Sequence, residues 1–290
     1  MEMIDELRRA TKQVREQVGP AVVAIGRNGR GTGIVVAAGQ VLTNAHNLRD
    51  LTTSVTFADG SVEQATAAGV DTDGDLAVLT VDTGAITPLV WASEPVEAGD
   101  VVFACAAGGR VTMGLVSATG RSFRGPRGRR IHGSVEHTAP LGPGSSGGPV
   151  LDPDAKLVAL NTHRIGFGFY LAVPADSDLR ARVDALAAGR SPEHRRIGVA
   201  IVPSRVAARL RRSVGLPERE GLLVRAVEDG SPAANAGIVA GDLLVKAGGV
   251  ELRTADDLFS ALDAAGENLV VEFVRGVEEH SVTVVFAPAA

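Results

Sequence analysis

The chain has 290 residues, of which 45% are apolar, 22% charged and 3% aromatic, and its formal net charge is −5. This length and composition predict a globular protein of one or two domains. The acidic balance gives no general attraction to nucleic acid or anionic membranes, and no apolar run reaches the roughly 20 residues of a membrane helix.

The first segment predicts an amphipathic helix over residues 3–18. Ile4, Leu7 and Val14 recur at helical spacing, and the Gly-Pro pair at 19–20 ends the pattern. The segment is charged throughout, so it lacks the apolar centre of a secretory signal. We therefore expect a cytoplasmic protein, with a removed leader as the alternative. The helix is expected to pack on the domain that follows it, and self-association through its apolar stripe is the alternative.

Short β-type runs separated by Gly, Asp and Asn turns dominate the region up to residue 172. A first series of runs covers 21–26, 32–37, 40–44, 53–57, 63–70 and 76–82. A second series covers 101–106, 111–118, 133–138, 149–151, 157–161 and 168–172. Six short strands at the spacing of the first series suit a β-barrel. A helix is predicted over 175–188, and a short polar linker follows at 190–195.

The strongest chemical signal is the stretch 141–150, in which Ser146 stands within Gly-Ser-Ser-Gly-Gly. A serine hydroxyl is a poor nucleophile, so it needs an adjacent base and a site for the charge that develops on the substrate oxygen. A glycine two positions before the serine lets the backbone turn tightly, so that the N–H groups of Gly144 and Ser146 can form an oxyanion hole. The alternative is an ordinary Gly/Ser loop, in a chain that contains 35 glycines.

A candidate base and an orienting carboxylate stand upstream of this serine. His46 follows a short apolar strand in Thr-Asn-Ala-His, and Asp75 opens an apolar strand after Asp-Thr-Asp-Gly. The chain order His46, Asp75, Ser146 is that of the serine triad built on two β-barrels. In that arrangement Ser146 attacks a scissile carbonyl, His46 takes and later returns the proton, and Asp75 holds the imidazole in the correct tautomer.

The strings TNAH, DTDGDLAVL and GSSGGP resemble the motifs of the HtrA/Deg family of trypsin-like serine proteases. The resemblance implies a mainly β protein: a trypsin-like double β-barrel protease domain, then an α+β PDZ domain, with a short N-terminal helix. The implied bounds are 1–19 for the helix, 20–189 for the protease domain and 195–288 for the PDZ domain. The implied function is a serine endopeptidase that cleaves unfolded or misfolded proteins. The alternative is a latent protease that acts as a peptide-binding, chaperone-like module.

The same resemblance places a primary specificity pocket around Leu141 and Ile165. Apolar walls predict a small or medium aliphatic residue before the cleaved bond. No aspartate stands where a pocket for Lys or Arg requires one. His163 and Arg164, in the stretch that lines this pocket in the family, depart from the family pattern.

The last hundred residues contain the string GLLV, GSPAANAGI, GDLLVKAGG, which resembles a PDZ domain. A PDZ domain binds a peptide C-terminus as an additional strand, and backbone N–H groups hold its carboxylate. The resemblance implies that the loop at 196–199 supplies these N–H groups and that a helix over 254–264 forms the other wall of the peptide-binding groove. The residues assigned to this site are Ile197, Gly198, Val199, Leu258 and Leu262. For the two leucines, burial in the core is the alternative.

The expected partners are unfolded proteins or peptides, and peptide C-termini at the PDZ groove. The run at 121–130 carries five arginines, and we expect it to be a solvated, mobile loop. The resemblance places this loop in the family's activation-loop region. The net charge of the chain opposes nucleic-acid binding there.

Cys105 lies in an apolar run and is expected to be a buried structural thiol. The six histidines are dispersed, so no metal or cofactor is expected. Related proteases often trimerise through N-terminal aromatics; the first segment here has none, and homo-oligomerisation stays open.

Overall fold

The computed structural model describes residues 2–166, 168–192, 194–202 and 204–286, and these fall into two compact units that divide after residue 192. The chain begins with helix α1 (Glu2–Val18). Val14 and Val18 are buried in the core of the first unit, whereas Ile4 is exposed. The C-terminal half of the predicted apolar stripe therefore packs on the helix's own unit.

Six strands of the first unit form a closed barrel in the order β1-β2-β3-β6-β5-β4. Their bounds are β1 Val22–Ile25, β2 Gly31–Ala37, β3 Gln40–Thr43, β4 Thr52–Thr56, β5 Val62–Asp71 and β6 Leu76–Thr80. Branched apolar side chains such as Ile25, Ile34 and Leu42 are fully buried inside it. Closure pairs every strand on both sides, so this sheet has no unpaired edge.

A second closed barrel follows in the order β10-β11-β12-β9-β8-β7. Its strands are β7 Val101–Ala106, β8 Arg110–Arg124, β9 Arg130–His137, β10 Pro149–Leu151, β11 Leu157–Gly166 and β12 Phe169–Pro174. Helix α2 (Ser177–Ala187) then packs against β5 and β6. The Asp176 side chain caps α2 by accepting the Leu179 N–H at 2.9 Å, which satisfies a donor that the helix itself cannot pair.

The arginine run at 121–130 lies at the end of a hairpin, so the expected loop is reduced to the turn between two strands; that this segment is solvated and mobile stays a prediction. Strand β8 extends to Arg124 and β9 begins at Arg130, so only five residues form the turn. Within the turn, Arg129 Nε lies 2.9 Å from Asp73 Oδ2, and these side chains are only 12% and 6% exposed. This buried ion pair docks the hairpin end onto the segment that leads into β6.

The second unit is a sheet in the order β13-β14-β15-β17-β18, with β16 paired to β15. Its strands are β13 Val199–Val202, β14 Leu222–Val227, β15 Leu243–Ala247, β16 Val250–Glu251, β17 Asn268–Arg275 and β18 Glu278–Val285. Its helices are α3 Ser204–Ser213, α4 Pro232–Asn235 and α5 Ala255–Ala264. Thr254 and Asp257 form a capping box that starts α5. In the described part of the chain, no helix is long and apolar enough to cross a membrane.

Candidate active site

His46 lies in a single 3-10 turn, Ala45–Asn47, directly after β3. Its Nδ1 is 2.8 Å from Oδ2 and 3.0 Å from Oδ1 of Asp75, and its backbone N–H donates to Oδ1 at 3.1 Å. The Asp75 side chain is 3% exposed and the imidazole 38% exposed. Asp75 therefore orients the ring from its buried side. With a proton on Nδ1, the other ring nitrogen, Nε2, can accept a proton on the side of the imidazole that faces away from Asp75.

Asp75 itself is held by neighbours from both barrels. Its φ is 56°, in the left-handed region that non-glycine residues rarely occupy and that recurs at functional sites. Thr162 Oγ1 donates to its Oδ2 at 3.0 Å, and Asn44 Nδ2 donates to its carbonyl oxygen at 2.8 Å. Thr162 and His46 replace the water that the buried carboxylate loses, whereas Asn44 holds the backbone of Asp75.

Ser146 is connected to Asp75 through Thr162. The Ser146 hydroxyl donates to the Thr162 carbonyl oxygen at 3.1 Å, while the Thr162 hydroxyl donates to Asp75. Within the described residues no hydrogen bond joins Ser146 directly to His46. The structure therefore brings His46 and Asp75 into contact and links Ser146 to Asp75 through one threonine, and the serine hydroxyl has to turn from that carbonyl to the imidazole before proton transfer.

The loop that carries Ser146 belongs to the second barrel, but the first barrel holds it. Thr32 Oγ1 donates to the Gly144 carbonyl at 2.7 Å, and the Ser146 carbonyl accepts the Thr32 N–H and Asn47 Nδ2, both at 2.9 Å. Gly147 has φ 85°, and a Cβ there would lie 2.1 Å from the Thr32 carbonyl oxygen. Only glycine therefore permits this close approach of the two barrels.

The candidate oxyanion hole consists of the N–H groups of Gly144 and Ser146. Gly144 has φ 80°, which gives the tight turn that was expected before the serine. Neither N–H donates to another residue in the part of the chain that the structure describes. Backbone donors without an internal partner, next to a nucleophile, are suited to hold a developing negative charge.

A cavity of about 190 Å³ opens beside Ser146. Leu141 lines it, as predicted for the specificity pocket. Ile165 is not among the lining residues and its side chain is 45% exposed; His163 and Arg164 line the cavity instead. The strand β11 has register shifts between Asn161 and His163 and between Arg164 and Gly166, so simple alternation does not predict which of its side chains face the cavity.

Tyr170 and Asn161 complete the interior of this cavity. The Tyr170 hydroxyl donates to the Leu141 carbonyl at 3.0 Å, and its ring stacks on His137. Asn161 Oδ1 is 2.8 Å from His137 Nε2, and Asn161 Nδ2 donates to the Gly148 carbonyl at 3.2 Å. Burial lowers the pKa of His137 and the hydrogen bond to Asn161 partly offsets this effect, so the ring is neutral at pH 7.

In the second unit, the predicted carboxylate loop precedes strand β13. Gly198 has φ 78°, and its carbonyl oxygen accepts the Glu228 N–H at 2.8 Å. The N–H groups of Ile197 and Gly198 donate to no residue that the structure describes. Val199 begins β13, which pairs only with β14 among the described strands. The loop and the edge strand therefore present unpaired donors together.

Leu258 and Leu262 lie on α5 but face the core of the second unit. They are 4% and 3% exposed and belong to its main hydrophobic cluster. This burial matches the core alternative, and the half-buried Phe259 beside them packs against the same cluster. Any contribution of the two leucines to a groove is limited to the small part that remains accessible.

One further reactive group, the thiol of Cys105, is buried without a chemical role in this arrangement. Cys105 is 3% exposed, and burial raises the pKa of its thiol to about 12, which agrees with a structural thiol. Among the described residues no group of three His, Cys, Asp or Glu side chains could hold a metal ion.

The sequence analysis missed two residues that build the site. Thr162 directly precedes His163 and Arg164 in the stretch that the resemblance places at the specificity pocket, and Asn44 stands within Thr-Asn-Ala-His. Their roles depend on contacts across 87 and 31 positions of the chain. In the sequence, only their position next to candidate residues could have indicated that they hold Asp75. A hydroxyl or amide can hold a distant residue only through contacts that form in the folded chain.

The two units correspond to two known domain types. Residues 31–160 match the family model of the trypsin-like peptidase domain, and residues 223–275 match that of the PDZ domain. The fold class predicted from the sequence, a double β-barrel protease domain with a short N-terminal helix and a following PDZ domain, is confirmed.

Relatives that match most of the chain identify the family. The putative serine protease HhoA of Synechocystis is 32% identical over 281 residues, which cover 88% of this chain and 70% of that protein. The putative serine protease HhoB of the same organism is 32% identical, covering 86% of this chain and 64% of its own length. The chain belongs to the HtrA family of trypsin-like serine proteases.

Other relatives and solved structures agree with this assignment. A probable periplasmic serine endoprotease of Brucella suis, described as DegP-like, is 32% identical, and the match covers 89% of this chain and 53% of that protein. The HtrA-type protease AlgW with decapeptide shares the fold at a TM-score of 0.65 and 22% identity, over 96% of this chain and 99% of that one. The chain thus spans between half and 70% of the length of these curated relatives. Their names include periplasmic and mitochondrial proteins, and a cytoplasmic location for this chain stays a prediction.

Proposed function

We propose that this chain is a serine endopeptidase with Ser146 as nucleophile, His46 as general base and Asp75 as the orienting carboxylate. One observation carries the proposal: Thr162 joins Ser146 to Asp75 by two hydrogen bonds, while Asp75 holds His46 by its side chain and its backbone. These contacts collect the three groups that the serine mechanism requires at one point between the two barrels.

The mechanism follows from the partners of each group. The Ser146 hydroxyl turns to His46 Nε2 and loses its proton to the imidazole as Oγ attacks the carbonyl carbon. The negative charge of Asp75 stabilises the imidazolium, which then gives the proton to the leaving amine. Water repeats the sequence on the acyl-enzyme, and Ser146 is restored.

The N–H groups of Gly144 and Ser146 hold the oxyanion of the tetrahedral intermediate. Each preorganised donor of this kind typically contributes about 10²–10³ in rate. Their lack of an internal partner supports this role, since a donor already committed within the protein would be lost to the substrate.

The second unit binds the C-terminus of a peptide as an added strand on β13, with its carboxylate at the N–H groups of Ile197, Gly198 and Val199. The unpaired N–H groups of the first two residues and the edge position of β13 support this site. We place the domain bounds at 20–189 and 195–288, in agreement with the division of contacts after residue 192. The expected substrates are unfolded or misfolded proteins.

The test is labelling of the full chain with a fluorophosphonate probe, read by mass spectrometry, and hydrolysis of unfolded casein. Wild type is expected to be labelled at Ser146 and to degrade casein, and Ser146→Ala to do neither. Ser145→Ala is the matched control, because its hydroxyl is buried beside the nucleophile without a hydrogen-bond partner in the described residues. Equal casein hydrolysis by wild type and Ser146→Ala would sink the proposal.

A latent protease that acts as a peptide-binding module is the second candidate. It is favoured by one observation, that the Ser146 hydroxyl donates to Thr162 rather than to His46. Labelling that requires a peptide with a free hydrophobic C-terminus would indicate a protease gated through the PDZ domain. Peptide binding without any labelling would indicate the module alone.

A further inference from the structure

The cavity beside Ser146 is positively charged, and none of the residues that line it carries a carboxylate. Arg164 and His163 belong to its wall, and no Asp or Glu is among the lining residues. A guanidinium carries a permanent positive charge and five N–H donors in a planar fork. The pocket therefore differs from the apolar pocket that the resemblance implied.

The charge of Arg164 is uncompensated within the described residues. Neither Arg164 nor His163 takes part there in a side-chain hydrogen bond or an ion pair. Two other arginines of the same unit are paired: Arg182 lies 2.9 Å from Asp71 and Arg129 lies 2.9 Å from Asp73. Arg164 is exposed to solvent, as unpaired surface arginines such as Arg127 and Arg190 are, but it lies at the cavity beside Ser146. Its charge is therefore available to a ligand that enters the cavity.

Three other polar side chains of the cavity are already hydrogen-bonded. The Tyr170 hydroxyl donates to the Leu141 carbonyl, Asn161 is bonded to His137 and Gly148, and the Thr162 hydroxyl donates to Asp75. Besides the nucleophile, the side-chain donors that remain for a ligand are those of Arg164 and His163 and the buried Ser145 hydroxyl, and of these only Arg164 carries a permanent charge. Leu141 and Leu171 give the apolar surface against which the methylene groups of a substrate side chain can pack.

We infer that this pocket selects an acidic residue, Asp or Glu, immediately before the cleaved bond. The inference rests on the proposed endopeptidase function and adds the substrate class to it. A guanidinium pairs best with a carboxylate, through charge-assisted and often bidentate hydrogen bonds. A Lys or Arg side chain would meet a like charge, and an aliphatic side chain would leave the donors of Arg164 unused.

The test compares fluorogenic peptides that are identical except for the residue before the cut, which is Asp, Glu, Asn, Val or Lys. We expect kcat/KM for Asp or Glu to exceed that for Asn and Val by about tenfold or more, the usual range for a hydrogen bond to a charged group. Arg164→Gln is expected to remove this preference, and Arg164→Lys to retain part of it. Arg164→Glu is expected to favour the Lys peptide.

The matched control is Arg190→Gln, an exposed arginine of the same unit that lies outside the cavity lining; its peptide preference is expected to equal that of wild type. Fluorophosphonate labelling of Ser146 is measured in every variant. If Ser146 is labelled and wild type prefers the Val peptide, and if Arg164→Gln has the same preference, the inference is wrong. The proposed endopeptidase function is not contradicted by that result. Absence of labelling and of cleavage of every peptide overturns both.

Discussion

The proposed catalytic residues and the cavity beside Ser146 are neighbours, but the charged groups Asp75 and Arg164 differ in their partners. Asp75 is buried and receives hydrogen bonds from His46 and Thr162, and its backbone is held by Asn44. Arg164, at the cavity, has no ion-pair or side-chain partner among the described residues. We therefore expect the proposed catalytic groups to be preorganised by the protein itself, and recognition to be completed by the substrate.

The largest expected effect is that of Asp75→Asn, which changes the group that holds His46 Nδ1. The amide keeps the shape but cannot accept the Nδ1 proton in the same way, so the imidazole takes the wrong tautomer. We expect a loss of about 10⁴ in kcat on a cleavable peptide, by analogy with other serine triads. Wild-type activity in this variant would contradict the assignment of Asp75.

A second buried carboxylate beside the catalytic one is also paired internally. Arg129→Gln leaves Asp73 buried without its cation, and breaking such a pair typically costs about 3–5 kcal/mol. We expect this loss in the free energy of unfolding, measured by urea denaturation. The neighbouring exposed Arg127→Gln is the control, with an expected change within about 0.5 kcal/mol. Equal stability of the two variants would show that the hairpin end is not docked by Arg129.

Thr162→Val removes the hydroxyl that donates to Asp75. It keeps the side-chain volume and the backbone carbonyl that accepts from Ser146. A lost hydrogen bond to a charged group typically costs about 1.5–3 kcal/mol. We expect kcat to fall roughly tenfold to a hundredfold with little change in KM. Thr162→Ser retains the hydroxyl and should restore most of the activity; if it does not, the threonine acts by packing alone.

The smallest expected effect is at His137, which packs against Asn161 and Tyr170 of the cavity lining. Burial holds its pKa below the ordinary value of 6.5, so the unfolded chain binds more protons than the folded one once the pH falls below that value. Its contribution to the free energy of unfolding is therefore constant above about pH 6.5 and declines as the pH falls towards the folded pKa. His137→Gln should reduce the slope of stability against pH in this window, and an identical slope in both proteins would contradict this linkage.

Most of the fold could be predicted because its signals are local. Alternating apolar runs between Gly and Asp turns marked both barrels, and Gly144 indicated the tight turn before the serine. Helix α3 was missed since arginines interrupt its apolar pattern, although Arg211 is itself buried through hydrogen bonds to the Pro217 and Gly276 carbonyls. The paired strands at 121–130 were not predicted, since the contact that docks the hairpin end is made with a distant carboxylate, Asp73.

The site was predictable to the extent that its residues stand in motifs. His46, Asp75 and Ser146 were marked by their immediate neighbours. The wall of the cavity was not predictable to the residue, since two register shifts in β11 decide that Arg164, and not Ile165, lies there. Thr162 gains its role only when the chain brings residues 87 positions apart into contact.

The hydrogen bonds from Thr32 and Asn47 to the loop of Ser146 have a consequence for biosynthesis. They span 112 and 99 positions and join the two barrels, so the geometry of the nucleophile is completed only after both barrels have folded and docked. A nascent chain that has exposed only its first barrel lacks the serine, and an isolated second barrel lacks the groups that hold it. We therefore expect the proposed active site to form only in a chain that contains both folded barrels, and a partly synthesised chain to be inactive.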